Sequence, residues 1–139
     1  MRTCLIDSGP LIALFSPNDR HHDRFDALVS ELSTGILRLI TTWPCVVEAS
    51  HLLEIPHRLE MLKWIQLGGA VVYPFEPADL AHMLPWMRRY SERGKREMDL
   101  ADASLCWLAV ETGAAEIMTV DVVDFSRYRL PRNKAFVLL

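Results

Sequence analysis

Apolar residues in this chain follow two alternating rhythms. Short continuous apolar runs at 3–6, 36–40, 70–73, 117–120 and 135–139 have the length and bounding residues of buried strands. Between them apolar positions recur at helical spacing, as at Phe25, Leu28, Val29 and Leu32 within 19–32. Asp7-Ser8-Gly9-Pro10 ends the first run and opens a helix, because proline tolerates the first helical turn. Thr42-Trp43-Pro44 opens another helix through Val46, Val47, Leu52 and Leu53, with Pro56 as its expected end. A helix over 58–67 follows, and one over 77–89 is expected to kink or split at Pro85. The helix over 99–112 stops at Gly113, and 121–128 reads as a turn or short helix. Strands alternating with helices predict an α/β fold whose parallel sheet is covered on both faces. In such sheets the usable crevice lies beyond the carboxyl ends of the strands, at a topological switch point.

The 139 residues, half of them apolar, suit one compact domain spanning 1–139, and neither repeats nor linkers interrupt them. Apolar stretches are broken well before membrane-spanning length, and Asp7 interrupts the first run before it can form a signal peptide. A cytoplasmic protein with no membrane segment is expected. Cys4, Cys45 and Cys106 lie far apart in apolar surroundings and read as buried thiols. A net charge of -3 argues against gripping nucleic acid through bulk positive charge, although a local basic rim remains compatible with it.

The chemistry is carried by acids. Asp7, Glu48, Asp99, Asp102 and Asp121 each stand where an apolar run passes into a turn or helix. Taken singly they read as helix caps: Asp7 with Ser8 on the first helix, Asp99 and Asp102 as most of a capping box, and Asp121 or Asp124 on the last turn. Taken together they sit on elements that end at one sheet edge. Apolar neighbours threaten Glu48 and Asp102 with burial, which an unpaired carboxylate tolerates poorly. No Lys or Arg lies within a helical turn of Asp7, Glu48 or Asp121, and Arg96 is placed to reach Asp99. An all-oxygen donor set suits Mg2+ or Mn2+ better than zinc.

Four segments, Leu5-Ile6-Asp7-Ser8-Gly9-Pro10-Leu11, Val46-Val47-Glu48-Ala49, Met98-Asp99-Leu100-Ala101-Asp102-Ala103-Ser104-Leu105 and Thr119-Val120-Asp121-Val122-Val123-Asp124-Phe125, resemble in order and spacing the acidic motifs of PIN-domain ribonucleases. Among these they are most similar to the VapC-like toxins of prokaryotic toxin-antitoxin systems. The resemblance implies a three-layer α/β/α domain with a central, mainly parallel sheet. It further implies an endoribonuclease whose acids bind one or two Mg2+ or Mn2+ ions. Asp7, Glu48, Asp102 and Asp121 align with the usual four catalytic and metal-holding acids, Asp99 with an accessory metal-site acid, and Thr119 with a hydroxyl residue supporting the last acid. Ser8-Gly9 stands where the family commonly has Thr-Asn, and Asp121 is preferred to Asp124 as the nearer to its strand end. An RNA substrate, a cognate antitoxin and a homodimer are implied partners.

Basic residues flank the acids. Arg88, Arg89, Arg93, Lys95 and Arg96 precede the helix at 99, and Arg127, Arg129, Arg132 and Lys134 follow Asp121, so phosphate contacts or a solvated surface are both compatible with them. Trp43, Trp64, Trp86 and Trp107 read as core or dimer interface rather than base-stacking platforms, with Leu59, Leu62, Leu80, Met83 and Leu84 as further interface candidates. His21, His22 and His82 read as surface residues. The Glu-x-x-His spacings at Glu48/His51 and Glu54/His57 match di-iron bundles, but the strands and Pro56 oppose that architecture. A catalytically silent RNA- or protein-binding module on the same fold is the alternative reading. Neither phosphate-loop nor dinucleotide-binding glycine motifs occur.

Overall fold

Strand alternation divides the core into two layers. In the computed structural model, which describes residues 1–92 and 96–139, β1 (Arg2–Ile6), β2 (Leu37–Thr42), β3 (Val71–Tyr73), β4 (Glu116–Met118) and β7 (Val137–Leu138) form one parallel sheet in the order β3-β2-β1-β4-β7. Leu5, Ile40 and Ile117 point to one face, where they pack with Leu105, Leu108 and Phe125. Their chain neighbours Cys4, Ile6, Leu39 and Met118 point to the other, against Leu11, Phe25, Val46 and Met61. A period of two along each strand feeds both cores.

The second face is covered by α1 (Ser8–Phe15), α2 (His22–Leu32), α3 (Trp43–Leu52) and α4 (Ile55–Gln66), and the first by α5 (Leu80–Arg89), α6 (Leu100–Thr112) and α7 (Val122–Arg127). This is the three-layer α/β/α arrangement. A short antiparallel ribbon, β5 (Arg129–Leu130) with β6 (Lys134–Ala135), precedes the edge strand β7; its two-residue strands carry no apolar alternation that would announce them. β1 sits between β2 and β4, so the chain leaves β1 on one side and returns on the other. The switch point therefore lies between β1 and β4, just beyond Ile6 and Met118.

Local chemistry moves several boundaries from their expected places. Pro56 lies in the first turn of α4 and opens that helix instead of closing α3, because its missing N–H costs nothing there. Pro85 neither splits nor ends α5; it sits on the exposed side of the helix, and the break falls earlier, at the 3-10 turn Pro77–Asp79. Asp19 closes a turn onto the His21 amide, so α2 begins at His22 and not at 19. Met83 is fully buried, which removes it from any exposed interface, whereas Leu80 is only partly buried against the core and Leu59 is 60% exposed. Trp107 is core, while Trp43 is half exposed. All three cysteines are free and buried. Among the described residues no helix is long and apolar enough to cross a membrane. Arg93 and Lys95 of the basic run lie outside the described residues.

Candidate metal centre

Asp7 follows β1 directly and caps α1. Its Oδ1 accepts the Ser8 amide at 2.7 Å, and its Oδ2 accepts the Thr119 hydroxyl at 2.9 Å. Thr119 has just left β4 across the switch point, and its oxygen also accepts the Asp121 amide at 3.0 Å. One hydroxyl thus ties the acid after β1 to the acid after β4. Gly9 makes the close approach possible, since a Cβ there would lie 2.5 Å from Val120 Cγ2. Ser8-Gly9 therefore suits this packing where a bulkier pair would push Val120 and its neighbour Asp121 aside.

Asp99 and Asp121 cap helices too. Asp99 Oδ1 accepts the Asp102 amide at 2.8 Å at the start of α6, and Asp121 Oδ1 accepts the Asp124 amide at 3.2 Å at the start of α7. In neither helix does the third residue return its carboxylate to the cap, as a full capping box would. Asp102 instead accepts the Tyr128 hydroxyl at Oδ2, 2.7 Å away, and Asp124 accepts Arg96 and Arg127 at 3.2 and 3.1 Å. Capping and lining a common cleft are therefore compatible roles for these acids. The N-termini of α1, α6 and α7 turn their partial positive charge toward the acids, which favours the ionised form.

The five sequence-derived acids, Asp7, Glu48, Asp99, Asp102 and Asp121, all line one cleft of about 320 Å3, together with Glu97 and Asp124. Within it one carboxylate oxygen each from Asp102, Asp121 and Asp124 lies within 4.8 Å of the others. Asp124 is thus as close to the cluster as Asp121. Arg96 pairs with Asp124, not with Asp99, because α7 carries Asp124 toward the segment leading into α6. Glu48 is exposed at the mouth and not buried: α3 turns it outward while Val46 and Ala49 take the core positions. Tyr128 and Glu97 were not signalled by spacing. Tyr128 sits 26 positions from the acid it holds, and Glu97 precedes its helix without any patterned neighbour.

Crowding like charges in a buried place raises their pKa values. Burial pushes the Asp7 carboxyl up to about 6, with Glu48 and Asp99 adding to the effect against the bonds from Ser8 and Thr119. Burial likewise pushes Asp102 up to about 8, reinforced by Asp99, Asp7 and Asp121 and opposed by the Tyr128 hydroxyl. Glu48 is raised by partial desolvation and by Asp99, and Asp121 by desolvation and its neighbour Asp124. Asp124 goes the other way: its burial is outweighed by hydrogen bonding with Asp121, Arg127 and Arg96 and by the Arg127 charge. Among the described residues two arginines pair with Asp124, whereas Asp7, Asp99, Asp102 and Asp121 accept backbone N–H or hydroxyl groups and form no salt bridge, which leaves their carboxylate oxygens as a hard, all-oxygen ligand set. That donor set fits a hard divalent ion.

Beside the cleft runs an apolar groove of about 720 Å3, walled by Trp43, Val47, Phe75 and Leu100, that shares Glu48 and Asp99 with it. His51 lines this groove, and His57 lies on α4; the sheet between helical layers leaves no four-helix bundle for a di-iron site.

No family model and no curated protein matches this sequence. Solved structures do match by fold. The chain superposes on VapC20 of Mycobacterium tuberculosis, described as a sarcin-ricin loop cleaving toxin, with a TM-score of 0.67 and 16% identity over 82% of this chain and 86% of that one. It also superposes on a chain of the VapBC2 structure from Rickettsia felis, bound to a DNA fragment from its promoter, with a TM-score of 0.68 and 11% identity over 99% and 97% of the two chains. At these identities the likeness establishes the fold, which is the PIN-like fold of VapC structures.

Proposed function

We propose that this chain is a divalent-metal-dependent endoribonuclease of the PIN kind, acting in the cytoplasm as the toxin of a toxin-antitoxin pair. The observation that carries the reading is the convergence of Asp7, Glu48, Asp99, Asp102, Asp121 and Asp124 on one cleft at the switch point of a parallel sheet. The fold shared with a sarcin-ricin loop cleaving toxin supports the choice of substrate.

Asp7, Asp102 and Asp121 would hold Mg2+ or Mn2+, with Asp124 beside them and Asp99 supporting the cluster. A bound divalent ion would supply Lewis acidity, offsetting the phosphodiester charge and acidifying the attacking water. The chain's own part is positioning. Ser8 and Thr119 hold both oxygens of Asp7, and Tyr128 holds one oxygen of Asp102, so two of the acids are oriented before substrate arrives. Glu48 would act as a ligand or orient the water, a role that its position on the lining of the cleft supports. The apolar groove adjoining the cleft supports a protein partner, read as a cognate antitoxin whose segment would cover the acids. Exposed Leu59, Leu62 and Leu84 support a homodimer as part of the same proposal.

The test is cleavage of a mixed RNA pool by the purified chain with Mn2+. The expected result is endonucleolytic fragments that EDTA suppresses and that Asp7→Asn abolishes without changing the circular dichroism spectrum. Asp7→Asn cleaving as fast as the unaltered chain would overturn the assignment, and no cleavage by either would leave the binding-module reading standing.

A further inference from the structure

Beyond the acidic cleft and the apolar groove, three arginines line another cavity. Arg89 at the end of α5, Arg129 on β5 and Arg132 on the turn between β5 and β6 line a pocket of about 400 Å3, walled on one side by Trp86 and Pro131. The chain as a whole is acidic, so this is a local concentration of positive charge. Among the described residues none of the three guanidiniums forms an ion pair. Guanidiniums gathered around one pocket in this way attract an anion.

The arginines are also positioned rather than loose. Arg129 donates through Nη1 to the carbonyls of Ser126 and Tyr128, both at 2.9 Å, while its own carbonyl accepts the Trp86 indole N–H at 3.2 Å. Arg89 lies over the Tyr90 ring at 5.1 Å. Arg132 has φ 62 and Asn133 φ 58, so the turn holds an arginine in the left-handed region at a cost of about 1–2 kcal/mol. Asparagine accepts that conformation readily; arginine does not, and it keeps the position despite the cost.

We propose that this pocket binds the phosphodiester backbone of RNA at a point removed from the bond being cut. The proposal rests on the ribonuclease reading above and adds a second contact for the same substrate. Guanidinium forks match phosphate oxygens in pairs, and Trp86 offers an apolar wall against which a base or ribose can lie. The two sites are joined by α7, which carries Asp121 and Asp124 at its start and is followed two residues after its end by Arg129. Its six residues rise about 9 Å. Arg127 lies between, bonded to Asp124 and to the Tyr90 carbonyl, so positive side chains continue from the cleft to the pocket. A polyanion with one phosphate at the acids therefore has a favourable path to the arginines.

The experiment measures binding of a fluorescein-labelled single-stranded oligoribonucleotide to the full chain carrying Asp7→Asn, across a salt series. Arg89→Gln with Arg132→Gly removes two charges, and the glycine relaxes the strained turn, so misfolding is not built into the variant. Lys63→Gln with Arg20→Gln removes the same charge elsewhere and serves as control. The pocket variant is expected to bind roughly tenfold more weakly, with the slope of log affinity against log salt reduced by about 1.4, near 0.7 for each lost phosphate contact. In the cleaving background it is expected to raise KM and leave kcat unchanged. Equal losses in pocket variant and control would overturn the proposal, as would displacement of the RNA by polyglutamate at matched charge, which would mark a site for acidic protein. If the chain binds RNA through the arginines yet never cleaves, the ribonuclease reading fails and the pocket stands. Cleavage with KM unaltered in the variant removes the pocket and leaves the ribonuclease reading in place.

Discussion

The Tyr128 hydroxyl donates to Asp102 Oδ2 across 2.7 Å, joining the residue that ends α7 to the first turn of α6. Tyr128 is fully buried, edge-on to Tyr90 and Phe125, so its ring cannot follow if the acid moves. Asp102 is in consequence aimed by the aromatic core. Tyr128→Phe keeps the ring and deletes the donor. It is expected to weaken Mn2+ binding by about 10–100-fold, as loss of a group orienting a ligand does, with little change in ring packing. Isothermal titration of Mn2+ into the variant and the unaltered chain measures it; equal affinities would remove Tyr128 from the site.

Metal-free stability should fall as pH rises. Asp7 and Asp102 titrate near 6 and 8 in the fold against about 3.8 in the open chain, so the folded state binds protons more tightly. Carboxyls raised in this way stabilise the fold below their unfolded value, and that contribution is lost as pH climbs from about 4 to about 8. A divalent ion selects the deprotonated forms and should reverse the trend. Melting curves with EDTA are expected to show Tm declining across this window, and with Mn2+ to show a gain that grows toward pH 8. A Tm in EDTA that rises steadily over the same range would contradict the burial of these acids.

Asp124, which spacing ranked below Asp121, lies beside it in the structure. It stands in the cluster with Asp102 and Asp121 and is also the anchor for Arg96 and Arg127. Asp124→Asn should lower RNA cleavage at least about tenfold. It should also free both guanidiniums, so that RNA affinity in the absence of metal rises slightly while turnover falls. Cleavage and binding assays on the one variant separate the two effects. Unchanged turnover would restrict Asp124 to an ion-pair role.

Gly9 is required by volume, not by backbone conformation. A Cβ there would meet Val120 Cγ2 at 2.5 Å, next to the segment that holds Thr119 and Asp121. Gly9→Ala is expected to cost about 1–3 kcal/mol in urea unfolding, the usual range for overpacking. It should also lower cleavage by shifting Asp121 relative to Asp7. A variant as stable and active as the parent would show that Val120 moves freely.

The sequence by itself determined the class of fold and where its acids would gather. Continuous apolar strands and patterned helices, punctuated by proline, glycine and aspartate, place Asp7, Asp99, Asp102 and Asp121 at element ends whatever the detailed packing. Proline was the weaker guide: Pro56 and Pro85 act according to position within a turn and exposure, which spacing does not reveal. Tertiary structure alone decided which groups face those acids. Tyr128, Thr119 and Arg96 reach Asp102, Asp7 and Asp124 across 26, 112 and 28 positions of chain respectively, and the outward turn of Glu48 follows from which side of α3 meets the sheet. The gathering of Arg89, Arg129 and Arg132 depends on docking α5 against the β5–β6 ribbon. Local sequence sets element ends because caps and breakers act within one turn; partners across the sheet are chosen by packing, which no single segment encodes.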